Sequence, residues 1–416
     1  MTVADRHATV IGAGIVGMSV ACFLQREGFR VTVVDRSGPG EGCSWGNAGG
    51  IALTEVVPQA LPGVVWQIPK WLMDPLGPLA VRWRHLPALL PWLAAFLAAG
   101  RRSAVVRTAA AAALLCHRVE QDCETLFTAA GVRHLWSDRH CLRLYDTREQ
   151  YEAEAFEWQL RADNGFPGTY VPGPALRELE PALAPDFHCG MVYEGWRHVT
   201  DPYRVVLALA EMFARDGGDI RRGEVRHIEV DGNRAAALVL GDGSRLPVEA
   251  LVIAAGAWSA RLARGLGEDI LLESERGYHL TLPDAGVMPT RQVSHAGRHM
   301  VITPMAMGLR LAGTAEFAGL DAPPDWRRAQ VLAEVAKRIY PGLNTAGGTE
   351  WMGHRPATPD SLPVIGPARR FANAWYAFGH GHLGLTWGPT TGRLVAQLMA
   401  GRPTNIDLAP FRSDRF

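Results

Sequence analysis

A chain of 416 residues, 48% hydrophobic and 20% charged, has the composition of a soluble globular protein with room for roughly two to three domains of about 150 residues. Its 42 arginines and lysines balance 42 aspartates and glutamates, so the basic excess expected of a nucleic-acid binder is missing. Only Lys70 and Lys337 are lysines, which argues against Schiff-base pyridoxal chemistry, and six cysteines without a C-x-x-C pair argue against a metal site or a disulfide framework and fit a reducing compartment.

Ala8 to Ile11 is a short apolar run that reads as a buried parallel strand. It leads into Gly12-Ala-Gly14-Ile15-Val16-Gly17, a helix through Met18 to Arg26 that stops at Gly28, and a second strand, Val31 to Val34. The sequence therefore predicts a complete βαβ dinucleotide-binding unit. Gly12 makes the tight turn, Gly14 admits a pyrophosphate against the backbone, and Gly17 lets helix and strand pack closely. The helix N-terminus offers free amides to the phosphates. Asp35, eighteen residues after Gly17, is positioned to accept ribose hydroxyls and repel a 2′-phosphate, with Arg36 beside it in the same site. The apolar start lacks the basic region of a signal peptide, and no run of 18 apolar residues predicts a spanning helix, so a cytoplasmic chain is expected.

The dinucleotide is NAD or FAD on these residues alone, and the later segments point to a flavin. Glu41 to Ile51 is a glycine-dense loop in which Ala48 and Gly49 leave room for a large cofactor and Ser44 and Asn47 are polar handles. Ala104 to Ala130 and Tyr151 to Asp163 read as helices, and Asp201-Pro202 reads as a helix N-cap. Val225 lies on a candidate strand, Glu224 to Val230, where its backbone is expected to meet an adenine. After a hairpin signal at Leu240 to Ser244, a buried run reaches Ala255, Gly256 and Trp258, allowing close backbone approach. Patterns near Leu280, Val301 and Leu309 suit an antiparallel sheet. Finally the strand Ala374 to Phe378 runs into Gly379-His-Gly381-His382-Leu383-Gly384-Leu-Thr386 and a helix over Gly388 to Met399. A second glycine-rich helix start with no following acid suits the pyrimidine edge of a flavin, where reduction places negative charge.

Together these segments resemble the FAD-dependent amino-acid oxidoreductases that include D-amino-acid oxidase, glycine and sarcosine oxidases, and bacterial D-amino-acid dehydrogenase. The resemblance spans nearly the whole chain and is closest to the dehydrogenase branch. It rests on Ser44 to Gly50, Arg276-Gly-Tyr278, Gly353 to Asp360 with Pro363-Val-Ile-Gly366, and Gly379 to Gly384. The resemblance implies that Arg355 grips a substrate carboxylate, a task its planar fork of donors also suits. Tyr278 is expected to add a hydroxyl to the same carboxylate, while His354 and His382 flank the site as acid–base candidates. Neither a C-terminal-half cysteine nor a histidine in the 41–51 loop is present for covalent attachment, so non-covalent FAD is expected.

The implied fold is α/β: a discontinuous Rossmann-type FAD-binding domain at 1–55, 198–262 and 340–416, and a substrate domain of antiparallel sheet plus helices at 56–197 and 263–339. The implied reaction is hydride transfer from the α-carbon of a D-amino acid to flavin N5, giving an imino acid and then a 2-oxo acid. Two alternatives stay open: an oxygen-using oxidase of the sarcosine or glycine type, and a flavin-binding subunit without its own catalytic site. The electron acceptor is expected to be a quinone or carrier. The segment from Val56 to Gly100, with Trp66, Trp71, Trp83 and Trp92 and several arginines, either packs in the substrate domain or rests on the inner face of the cell membrane.

Overall fold

A computed structural model describes residues 6–64, 77 and 79–416; Trp66 and Trp71 fall outside the described residues. Six strands build the first sheet in the order Val364–Pro367, Ala374–Phe378, Ala250–Ile253, His7–Ile11, Arg30–Asp35 and Asp219–Arg222. All are parallel except Val364–Pro367, which returns antiparallel along Ala374–Phe378. Strands of a parallel sheet are covered on both faces, which is why Val10, Val33, Val252 and Ile253 are fully buried. The helices Ile15–Arg26, Pro202–Arg215 and Gly384–Met399 cover one face, with the long helix Arg102–Ala129 against them. On the other face lie the helix Ser259–Gly265 and a three-stranded sheet, Val225–Asp231, Arg234–Leu240 and Arg245–Pro247.

The helices Ile15–Arg26 and Gly384–Met399 cross backbone to backbone. A Cβ on Gly392 would lie 2.5 Å from the Ser19 carbonyl carbon, and one on Gly388 would lie 3.3 Å from Ile15. Small residues at a four-residue spacing let the two helices approach until their N-termini open onto one space.

Among the described residues nine strands form the second sheet. Its main path runs Thr349–Ala357, Glu273–Leu282, Gly308–Phe317, Met300–Met305, Val293–His295, Leu142–Tyr145, Cys189–Tyr193 and Gly168–Pro172, with Leu79–Val81 alongside Gly308–Phe317. The helix Arg327–Ile339 packs its apolar side, Leu332, Ala336 and Ile339, against this sheet. The expected architecture, a Rossmann-type sheet and an antiparallel sheet with helices, is present. One boundary departs from expectation: Thr349–Ala357, placed with the 340–416 piece, pairs along Glu273–Leu282 for nine residues as part of the antiparallel sheet. A second departure is local. The helix expected at Tyr151 to Asp163 breaks at Glu154 into Arg148–Ala153 and Ala155–Asp163, and the Glu154 carboxylate is engaged by Arg143 and Tyr145.

Candidate active site

A cavity of about 960 Å³ lies between the two sheets, lined by the first glycine loop, the 41–50 loop, Ala254 to Trp258, residues 380–385 and the near face of the antiparallel sheet. The glycines that shape it are sterically required. Gly12 has φ +110°, and a Cβ there would sit 2.3 Å from the Ala254 carbonyl oxygen. A Cβ on Gly17 would lie 1.9 Å from the Gly12 oxygen. By contrast, a Cβ on Gly256 or Gly381 meets nothing within 4 Å, so these backbones face open cavity. At the start of Ile15–Arg26, Ser44 Oγ accepts the Ile15 amide at 3.0 Å, while Gly14 and Val16 line the cavity and the Val16 amide has no partner among the described residues. The helix Gly384–Met399 starts without any side-chain cap, four residues earlier than expected, and Gly381, Leu383 and Gly384 line the cavity at its mouth.

The polar residues of this half have definite tasks. Asp35 accepts the amides of Ala13 at 2.7 Å and Ser37 at 2.8 Å, tying the glycine turn to the end of the second strand. Asn47 Oδ1 accepts the Gly49 amide, and the Ala48 carbonyl accepts Gln292 and Thr303, so the 41–50 loop is fastened to the antiparallel sheet. Thr386 Oγ1 accepts the Ala52 amide from a fully buried position; it braces the helix start and does not line the cavity. Arg36 stacks on Trp258 with its guanidinium carbon 3.5 Å from the ring centroid, and Val225 and Ala255 border the same end. Ser44 and Asn47, expected as direct handles, act first as helix and loop braces.

These features fit FAD. The cavity is long, both helix N-termini open into it, and its glycines leave space at the backbone where a side chain would intrude.

Arg355 lines the same cavity. Its Nη1 donates to Glu275 Oε1 at 2.6 Å and to the Thr314 carbonyl at 3.4 Å. Its side chain is 26% exposed, toward the cavity, and among the described residues Nε and Nη2 make no hydrogen bond. The guanidinium lies flat over Gly277, where a Cβ would come within 2.3 Å of Cζ. Thr314 is the extra residue of a bulge between Gly277/Ala315 and Tyr278/Gly313, and its φ of +53° costs a β-branched residue on the order of 1–3 kcal/mol. That strain aims its carbonyl at Arg355.

Tyr278 is not part of this grip. It is 1% exposed, and its hydroxyl donates to Glu316 at 2.5 Å and accepts the Asp325 amide at 3.1 Å. Strand alternation explains the correction: Glu275 and Gly277 share the cavity face, and Tyr278 belongs to the opposite one with Arg276. Arg276 is fully buried and holds the carbonyls of Gly319, Ala322 and Pro323. His354 Nδ1 bonds Ser274 Oγ at 2.8 Å and its ring stands edge-on to Trp258. Burial brings its pKa down to about 4, so it is a neutral structural ring near neutral pH. His382 reaches Gln59 through Nδ1 at 3.2 Å and lines the cavity within electrostatic range of Glu275 and Arg355. Glu275 and Thr314 escaped sequence reasoning, and Gly277 was quoted in the Arg276-Gly-Tyr278 motif without a task; Glu275 and Gly277 flank Arg276 on the alternate parity.

The fold and this site together define a flavin-dependent oxidoreductase, and the chain belongs to the DAO family of FAD-dependent oxidoreductases, whose pattern matches residues 7–398. It is 38% identical over 424 residues to a D-amino-acid oxidase of Bradyrhizobium diazoefficiens, covering 99% of both chains. It is 32% identical to a D-amino acid dehydrogenase of Dechloromonas aromatica, covering 94% of this chain and 96% of that one. The fold is shared with glycine oxidase from Geobacillus kaustophilus, at a TM-score of 0.75 and 22% identity over 99% of this chain and 100% of that one. L-proline dehydrogenase from P. horikoshii also shares it, at a TM-score of 0.75 and 18% identity over 99% and 97% of the two chains.

Proposed function

We propose that this protein oxidises the Cα–N bond of a D-amino acid with non-covalently held FAD. The observation that carries the reading is the free edge of Arg355 facing the cavity that both helix N-termini share. Arg355 takes the substrate carboxylate through Nε and Nη2, which fixes the α-carbon in the cavity. When bound, FAD supplies the two-electron acceptor for the α-hydrogen as hydride, once the substrate has lost its ammonium proton to water and the nitrogen lone pair is free to form the C=N bond. The glycine turn at 12–17, Asp35, Arg36, Val225 and Trp258 hold the nucleotide end, and residues 381–384 turn helix amides toward the pyrimidine edge. The imino acid released hydrolyses in water to a 2-oxo acid and ammonia, or to an amine if the substrate is secondary. Cys43, the cysteine in the 41–51 loop, donates to the His354 carbonyl, and burial pushes its thiol up to about 11, so it stays protonated and a poor nucleophile toward a flavin. Acid precipitation should therefore release all the yellow colour into the supernatant; colour kept in the pellet would overturn non-covalent binding.

The test of the grip is Arg355→Leu. Losing a desolvated charge pair costs about 2–5 kcal/mol, so kcat/KM should fall by roughly one and a half to four decades with flavin content retained. Near-normal kinetics would refute the role.

For the electron acceptor we propose a quinone or carrier reached at a membrane surface. Among the described residues no single helix is long and apolar enough to cross a membrane, and one pair, Trp83–Ala99 with Arg102–Ala129, is bent by 90°. The support for surface contact is the exposure around Leu86–Ala99: Trp83, just before the helix, and Leu90 within it are 72% and 54% exposed, and Arg84, Arg101 and Arg102 flank them. No aspartate or glutamate occurs from 75 to 119, where six arginines do. The D-amino-acid oxidase relative favours a second reading, with oxygen as acceptor. Salt-sensitive binding to anionic vesicles, with quinone turnover far above oxygen turnover, supports the first; rapid peroxide production without vesicle binding supports the second.

A further inference from the structure

Arg355 is one of three side chains set in a row. Across three adjacent antiparallel strands Arg355 stands opposite Glu275, and Glu275 stands opposite Phe317, so all three share one sheet face. All three line the cavity. Glu275 is 6% exposed and gives Oε1 to Arg355, while its Oε2 has no hydrogen-bond partner among the described residues. Beyond it, Phe317 packs on Trp92 with ring centroids 5.1 Å apart, and Trp92 stacks on Phe96 at 5.1 Å. Trp92 is pinned by its Nε1, which donates to the Ala357 carbonyl at 2.9 Å, two residues from Arg355. The helix Leu86–Ala99 thus turns Leu89, Trp92, Leu93 and Phe96 toward this end of the cavity.

We propose that this row reads three parts of one substrate, with Arg355 taking the carboxylate, Glu275 Oε2 the α-ammonium, and the Phe317–Trp92–Phe96 wall a bulky apolar or aromatic side chain. The inference rests on the amino-acid reading above and adds to it a substrate class and an amine-binding residue. An arginine already neutralised by a buried glutamate gains little from a lone carboxylate. A zwitterion complements both halves of the pair, and its two charges are matched without leaving either protein charge unpaired. The wall carries no charged group, so an ionic side chain placed there would lose its hydration without compensation.

The holoenzyme tests this by anaerobic flavin reduction and by ligand-induced changes in the flavin spectrum. Wild-type kcat/KM should rank D-phenylalanine above D-alanine, and both far above D-aspartate and D-lysine. Phe317→Ala should lower the phenylalanine-to-alanine ratio by about tenfold to a hundredfold, a within-protein ratio insensitive to partial loss of fold. Glu275→Gln should weaken D-phenylalanine binding by about tenfold or more while 3-phenylpropionate, the same acid without the amine, binds as tightly or more tightly, because the variant frees Arg355 from its counter-charge. If Glu275 merely props Arg355, both ligands weaken together, and the amine-binding role is overturned. Turnover of D-aspartate or D-lysine equal to that of D-phenylalanine overturns the substrate class while leaving amino-acid oxidation intact. Failure of every amino acid to reduce the flavin removes the underlying reading and this inference with it.

Discussion

Gly277 is the residue on which the carboxylate grip turns. Its missing side chain is the space the Arg355 guanidinium occupies, so Gly277→Ala must lift that fork off the sheet. A misplacement of about 1 Å at a reacting centre costs about a hundredfold, and kcat/KM should fall by that order with flavin content unchanged. Kinetics like the wild type would mean that the guanidinium sits elsewhere when substrate binds. The family resemblance pointed to Arg355 and the chemistry of a planar fork agreed with it, but neither could separate Tyr278 from the grip. That distinction depends on which sheet face each residue occupies, and the register of Glu273–Leu282 against its neighbours is a long-range fact.

Among the elements, the crossing of Ile15–Arg26 with Gly384–Met399 governs whether two helix N-termini can serve one cofactor. Gly392→Val would drive a branched side chain into the Ser19 backbone, overpacking by about 1–3 kcal/mol and prising the helix starts apart. Thermal denaturation should show a lower Tm, and the purified variant should retain less flavin; an unchanged Tm with full flavin would refute the close crossing. The first helix was legible because its glycine spacing, its two strands and Asp35 lie within about thirty residues and follow local rules. The partner helix was legible as a glycine-rich start, yet its true beginning at Gly384 was not, since no capping side chain marks it. The pairing of Thr349–Ala357 with Glu273–Leu282 was not legible because the partner strand lies some eighty residues upstream and a strand's sequence does not declare its neighbour.

The whole molecule buries neutral histidines, and this sets its response to acid. His198, His279 and His380 are each 2% exposed, and burial lowers them to about 4, 3 and 3. In the unfolded chain they titrate near 6.5; below that pH the unfolded state binds protons that the folded state refuses. Stability should therefore fall from about pH 6.5 to about pH 4, by up to about 1.4 kcal/mol per pH unit for each histidine. Glu157 acts oppositely, because burial raises it to about 7 and its extra folded-state proton adds stability as pH drops from 7 towards 4.5, but three histidines outweigh it. Melting curves should show Tm decreasing on acidification through this range; a flat or rising Tm would contradict the burial of these rings. The function of the whole rests on a fold that brings an FAD cavity and the Arg355 fork into one space. The most direct test is anaerobic mixing of the holoenzyme with D-, L- and N-methyl amino acids, followed by admission of oxygen. The account predicts rapid bleaching of the flavin by D-amino acids, with a 2-oxo acid formed in step; a flavin that dithionite bleaches but no amino acid does would contradict it.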